Sequence, residues 1–120
     1  MILETAYLTE EQIIKACGIC VSAKADFTKT SSGYAPYGAR ISDLKIMRAN
    51  TPAAMQVKAA GGVRSLDDAL AVRAVGVSRF GCTTTAQMIQ DARQREERGE
   101  LIVPSPEDVQ ELTYLKTGGK

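Results

Sequence analysis

Two lysines stand inside predicted strands: Lys29 in Phe27-Thr28-Lys29-Thr30-Ser31 and Lys58 in Gln56-Val57-Lys58-Ala59-Ala60. Lysine is poor strand material and is rarely buried without a reason. A desolvated amine holds its proton less firmly, and a second cation nearby loosens it further. Such an amine is nucleophilic near neutral pH and adds to carbonyl carbon to form an imine. The same spacing also fits two lysines on an exposed sheet edge, or stems lying along an interior with the ammonium in water.

The chain contains no histidine. That removes Ser-His-Asp and Cys-His nucleophile systems and any histidine-ligated metal site. Proton transfer then falls to lysine, carboxylate, tyrosine or water. Cys17-Gly18-Ile19-Cys20 has a redox spacing, but it lies well inside a predicted helix, on the apolar stripe, where thiols serve as packing groups. Cys82 sits in a predicted loop and reads as a small packing group.

Glycine-rich joints follow two predicted strands: Gly61-Gly62-Val63-Arg64-Ser65 and Gly81-Cys82-Thr83-Thr84. Glycine permits close backbone approach, and the helix that begins after each joint offers free N–H groups and the positive end of its dipole. Turn glycines alone would look the same. Beside two strand lysines, the joints point to a phosphorylated carbonyl substrate.

The elements that must position these residues alternate. Met1 to Thr5, Asp26 to Ser31, Met55 to Ala59 and Val77 to Gly81 read as strands. Thr9 and Gln12 form a capping box for a helix with apolar residues at Ile13, Ile14, Ala16, Cys17, Cys20 and Val21. Gly33, Pro36 and Gly38 mark a loop, Ser42 reads as the cap of a helix carrying Leu44, Ile46 and Met47, and Pro52 follows its end. Ser65 caps a third helix, with Gly76 at its C′ position. A fourth helix starts near Thr85 and turns highly charged from Asp91 to Glu100, which reads as a solvated face. Strand–helix alternation predicts a parallel sheet with right-handed crossovers. The expected fold class is therefore α/β, four β/α units of a (β/α)8 barrel, where a complete barrel takes eight units and about 250 residues. Residues 1–100 make up this half barrel. Residues 101–120 form a tail with a short helix near Ser105-Pro106-Glu107-Asp108 and a frayed Thr117-Gly118-Gly119-Lys120 end.

Bulk properties are ordinary. The 120 residues are 44% hydrophobic and 24% charged, with a formal net charge of +1. Nothing there calls for nucleic acid or an anionic membrane. No apolar run approaches the roughly 18 residues of a membrane span. Met1 leads into Ile2-Leu3-Glu4-Thr5 without a signal-like flank, and three cysteines without secretion signals suggest reduced thiols in a cytoplasmic setting.

Four stretches resemble deoxyribose-phosphate aldolase, a class I aldolase family on a (β/α)8 barrel: Ile2-Leu3-Glu4-Thr5, Ala25-Asp26-Phe27-Thr28-Lys29-Thr30-Ser31, Val57-Lys58-Ala59-Ala60-Gly61-Gly62-Val63-Arg64 and Ser78-Arg79-Phe80-Gly81. The resemblance is to the carboxyl-terminal half of the family, is collinear to about residue 95, and has no counterpart for the tail. It implies that Lys29 forms the Schiff base with acetaldehyde and that Lys58 lowers the proton affinity of Lys29 and relays protons. It also implies phosphate contacts at Gly33, Gly61, Gly62, Val63, Arg64, Gly81, Thr83 and Thr84. The implied reaction is reversible cleavage of 2-deoxyribose 5-phosphate to glyceraldehyde 3-phosphate and acetaldehyde, with no metal or organic cofactor. Other class I barrel aldolases, or a catalytically silent remnant that binds sugar phosphate or a partner, share the same features.

Three departures from the family pattern stand out. Lys24 occupies a helix-end position where glycine is common, at a cost of about 1 kcal/mol if its φ is positive. Tyr34-Ala35-Pro36-Tyr37 replaces a more glycine-rich loop and narrows the mouth. Thr83 and Thr84 stand for serines and keep the hydroxyls. The family's catalytic aspartate belongs to an earlier strand outside this sequence, which leaves Glu4 as the nearest carboxylate for acid–base work. Four strands of a barrel also leave two open edges. The expected remedy is a closed homodimer, or a partner supplying the missing half.

Overall fold

The computed structural model describes residues 1–116, so the expectation for Thr117-Gly118-Gly119-Lys120 lies outside the described residues. Three parallel strands, β1 (Phe27–Lys29), β2 (Gln56–Ala59) and β3 (Arg79–Phe80), lie in chain order. Helices α1 (Glu10–Ser22), α2 (Ile41–Ala49), α3 (Leu66–Ala74) and α4 (Thr85–Glu97) alternate with them. A final turn, α5, spans Thr113–Lys116.

The first predicted strand is shorter than expected. Met1 to Leu3 keeps the ladder position beside β1: Lys29 N donates to Met1 O at 2.8 Å and Leu3 N donates to Lys29 O at 2.9 Å. Only Ile2 is bridged, opposite Lys29. Glu4 then takes a left-handed φ of 59°, which ends the extended run and starts a 3-10 turn over Thr5–Tyr7. The four-position half sheet survives with its outermost member reduced to a bridge.

The starts of α1 and α3 follow local chemistry. Thr9 and Gln12 make the predicted capping box on α1, and Ser65 caps α3 in a box completed by Asp68. Ser42 does not cap α2. The helix begins one residue earlier, at Ile41, and Arg40 at its cap position makes no side-chain bond. The free Ile41 N–H instead donates to Glu111 Oε1, reached from the tail, at 2.7 Å. Lys24 adopts a φ of 56°, as its place at the end of α1 implied.

Alternation along the strands divides the sheet. Thr28, Val57 and Ala59 point to the helices and are fully buried, among Ile13, Cys17, Leu44, Met47 and Val72. Burying each large aliphatic side chain there contributes roughly 1.5 to 3 kcal/mol. Cys17 and Cys20 belong to this layer as free thiols. Burial, and then the neighbouring Cys20, pushes the Cys17 thiol above its ordinary range, which suits packing and not redox exchange. The segment after residue 100 joins the same core, with Leu112 and Tyr114 both buried.

Candidate active site

The opposite face of the sheet carries the two lysines singled out from the sequence. Lys29 and Lys58 are register partners on adjacent parallel strands, and Lys58 is in turn the partner of Arg79. With Ile2 opposite Lys29, one row runs Ile2, Lys29, Lys58, Arg79. Neighbouring strands lie about 4.8 Å apart, so both amines reach the same small volume. Both lysines are half-buried; Lys29 ends β1 and Lys58 stands one residue before the end of β2.

They line a cleft of about 350 Å³ with Gly61, Gly62, Val63, Arg64, Gly81, Cys82 and Thr83. The structure thus brings together most of the residues singled out from the sequence. Gly33 lies apart, in a neighbouring cleft of about 130 Å³ with Tyr37, Tyr114 and the other side of the Gly61-Gly62 turn. Thr84 points elsewhere: its hydroxyl donates to Arg64 O at 3.0 Å and ties the two glycine joints together. Glu4 does not line the lysine cleft. Its carboxylate accepts from Ser32 N at 3.2 Å and from the Ser32 hydroxyl, which fixes the loop leaving β1.

The two glycine joints differ in what they offer an anion. The N-terminus of α3 is already occupied, because Asp68 accepts from Arg64 N and Ser65 N at 3.1 Å each. The first turn of α4 holds no acidic residue and no side-chain cap. Its N–H groups therefore keep the partial positive charge that attracts phosphate.

Residues missed by sequence reasoning hold the first joint in shape. Gly62 has φ 89°, and a Cβ there would come within 2.0 Å of the Tyr114 ring. The Tyr114 hydroxyl donates to Ala39 O at 2.9 Å, and the Arg64 guanidinium lies 5.4 Å from the ring centroid. Thr113 donates to Asp68 from its backbone at 2.9 Å and from its hydroxyl at 2.7 Å. Burial works to raise the Asp68 pKa, but the bonds from Thr113, Arg64 and Ser65 outweigh it and hold the carboxyl below its usual range. The Ser65-x-x-Asp68 spacing is a legible capping signal, whereas nothing local announces that residues near 113 complete it.

Parallel β/α units with a lysine pair at the strand ends, facing glycine joints, define part of a (β/α)8 barrel with its site at the mouth. Known proteins narrow that class. A deoxyribose-phosphate aldolase from Rhodopirellula baltica is 47% identical over 95 residues, covering 79% of this chain and 39% of the relative. One from Thermococcus gammatolerans is 44% identical over 96 residues, covering 80% of this chain and 43% of the relative. Among solved structures, the aldolase QR15 matches with a TM-score of 0.74 at 36% identity, over 81% of this chain and 44% of its own. No family model matches the chain. The chain thus spans about 40% of the length of these curated relatives, which bears out the resemblance to a carboxyl-terminal half and the partial barrel with it. Among the described residues, no helix is long and apolar enough to cross a membrane.

Proposed function

We propose that this chain carries the imine-forming half of a deoxyribose-phosphate aldolase site. The observation that carries the reading is the register pairing of Lys29 with Lys58 on the open face, above a glycine-lined cleft. The Lys29 amine adds to an aldehyde carbon, water leaves, and the resulting imine acts as the electron sink in place of a metal or organic cofactor. Lys58 lies beside it to relay protons. The phosphate of 2-deoxyribose 5-phosphate sits against Gly61, Gly62, Val63, Arg64, Gly81 and Thr83, near the open N-terminus of α4. Thr84 braces the two joints through Arg64 O, and Gly33 stands in the neighbouring cleft. The reaction is reversible cleavage to glyceraldehyde 3-phosphate and acetaldehyde, in the cytoplasm.

One observation favours a second reading, binding without full turnover. Glu4, the nearest carboxylate by sequence, is engaged by Ser32, and among the described residues no carboxylate lines the lysine cleft. Imine formation then proceeds in the chain alone, while turnover waits for a carboxylate from elsewhere.

Borohydride reduction in the presence of acetaldehyde tests the main reading. An ethyl adduct on Lys29 is expected. Protein with no adduct there has no aldolase role. Trapping with 2-deoxyribose 5-phosphate against other sugar phosphates separates this substrate from those of other class I aldolases.

A further inference from the structure

The tail lies beyond the stretch that carries the family resemblance, yet four consecutive residues of it each hold a different part of the molecule around the first glycine joint. Glu111 accepts from Ile41 N at the start of α2 at 2.7 Å. Leu112 is buried in the core. Thr113 donates to both oxygens of the Asp68 carboxylate, at 2.9 Å from its backbone and 2.7 Å from its hydroxyl. Tyr114 donates to Ala39 O, and its ring stands where a Gly62 side chain would lie. Two of these contacts run on into the joint. The Asp68 oxygen that takes the Thr113 hydroxyl also accepts from Arg64 N and Ser65 N. Ala39, held at its carbonyl by Tyr114, donates from its N–H to Ala60 O at 3.0 Å and Gly61 O at 3.1 Å.

The joint needs that support. Gly61 and Gly62 both hold a positive φ, 80° and 89°. Glycine reaches other backbone wells at little cost, so two in succession fix no shape by themselves. Among the described residues, the N–H groups of Gly61, Gly62 and Val63 meet no protein acceptor. Successive open N–H groups in a turn make a concave anion seat, and its grip depends on their mutual orientation. Tyr114 lines the small neighbouring cleft and not the lysine cleft, so it reaches the pocket only through the joint's backbone. We propose that residues 111–114 form a strap coupled to phosphate binding. Docked, the strap holds the Gly61–Arg64 joint in its binding shape; released, it lets phosphate affinity fall. Thr113 and Tyr114 are then positioning residues that touch no reacting atom. The inference rests on the phosphate role proposed for the joint, and not on the imine at Lys29.

Coupling is reciprocal, so phosphate must in turn steady the strap. Hydrogen exchange of the full chain, with and without inorganic phosphate, reads this at the Thr113 amide, which donates to Asp68. Phosphate is expected to slow exchange at Gly62, at Val63 and also at Thr113. Slowing at Gly62 and Val63 with none at Thr113 overturns the strap alone. Slowing at none of the three overturns the strap and the phosphate role of the joint together. Borohydride trapping at Lys29 reads the affinity. In Tyr114→Leu, the concentration of 2-deoxyribose 5-phosphate that half-saturates trapping should rise on the order of tenfold. Trapping with acetaldehyde, which carries no phosphate, should match the parent. Thr113→Val keeps the ring in the core, serves where Tyr114→Leu fails to fold, and should give a smaller rise. Folded variants that keep the parental half-saturation overturn the strap, as does an equal loss with both aldehydes. If the parent forms no adduct at all, the imine reading fails and the exchange experiment still decides the strap.

Discussion

The two faces of one small sheet have opposite chemistry. The helix-covered face presents Thr28, Val57 and Ala59, all with no exposure, to α1, α2 and α3. The open face presents Lys29, Lys58 and Arg79, one residue out of phase on the same strands. Since side chains alternate at every residue, the same three short strands hold the core together and display the amines. On the proposed function, the covered face sets stability and the open face sets reactivity. Substitutions on each should separate those properties.

The largest effect is expected on the covered side. Leu44 is fully buried against the sheet, so Leu44→Ala should cost about 2 to 5 kcal/mol by loss of burial and the cavity left behind. The urea midpoint read by circular dichroism checks this. Lys29→Met, on the open side, should leave that midpoint nearly unchanged. An equal loss from both would erase the distinction between the faces.

A middle-sized effect is expected where the tail meets the first glycine joint. Asp68→Asn removes the charge that accepts four hydrogen bonds, and should cost roughly 1 to 3 kcal/mol. The sign of its pH dependence follows from the lowered pKa of Asp68. The stabilisation is fully present above the unfolded carboxyl value of about 4 and fades as pH falls through the lower folded value. Acid titration of stability should therefore be flatter below about pH 4 in Asp68→Asn than in the parent.

The smallest effect is a gain. Lys24 holds φ 56° at the exposed end of α1, so Lys24→Gly should stabilise by roughly 0.5 to 1 kcal/mol, read as a small rise in melting temperature. No change would mean that the left-handed geometry carries no strain.

Much of this organisation could be read from neighbouring residues. The Thr9 and Ser65 caps depend on spacings within a few positions, and each lysine could be placed in its strand from its immediate neighbours. What escaped depends on distance along the chain. The cap on α2 comes from Glu111, 70 residues from Ile41, and displaces the local Ser42 reading. The left-handed Glu4 is held by Ser32, 28 residues away, and shortens the first strand. Gly62 is legible as a turn, but the Tyr114 ring that occupies its missing side chain is not. Arg79 was legible in its strand, and only the register shows that it extends the lysine row.

The central claim is that the open face carries a working amine at Lys29. Incubation with acetaldehyde, reduction with borohydride and peptide mapping test it most directly. The structure predicts an ethyl adduct on Lys29, lost in Lys29→Met while the fold persists. A folded, unmodified Lys29 under those conditions would contradict it.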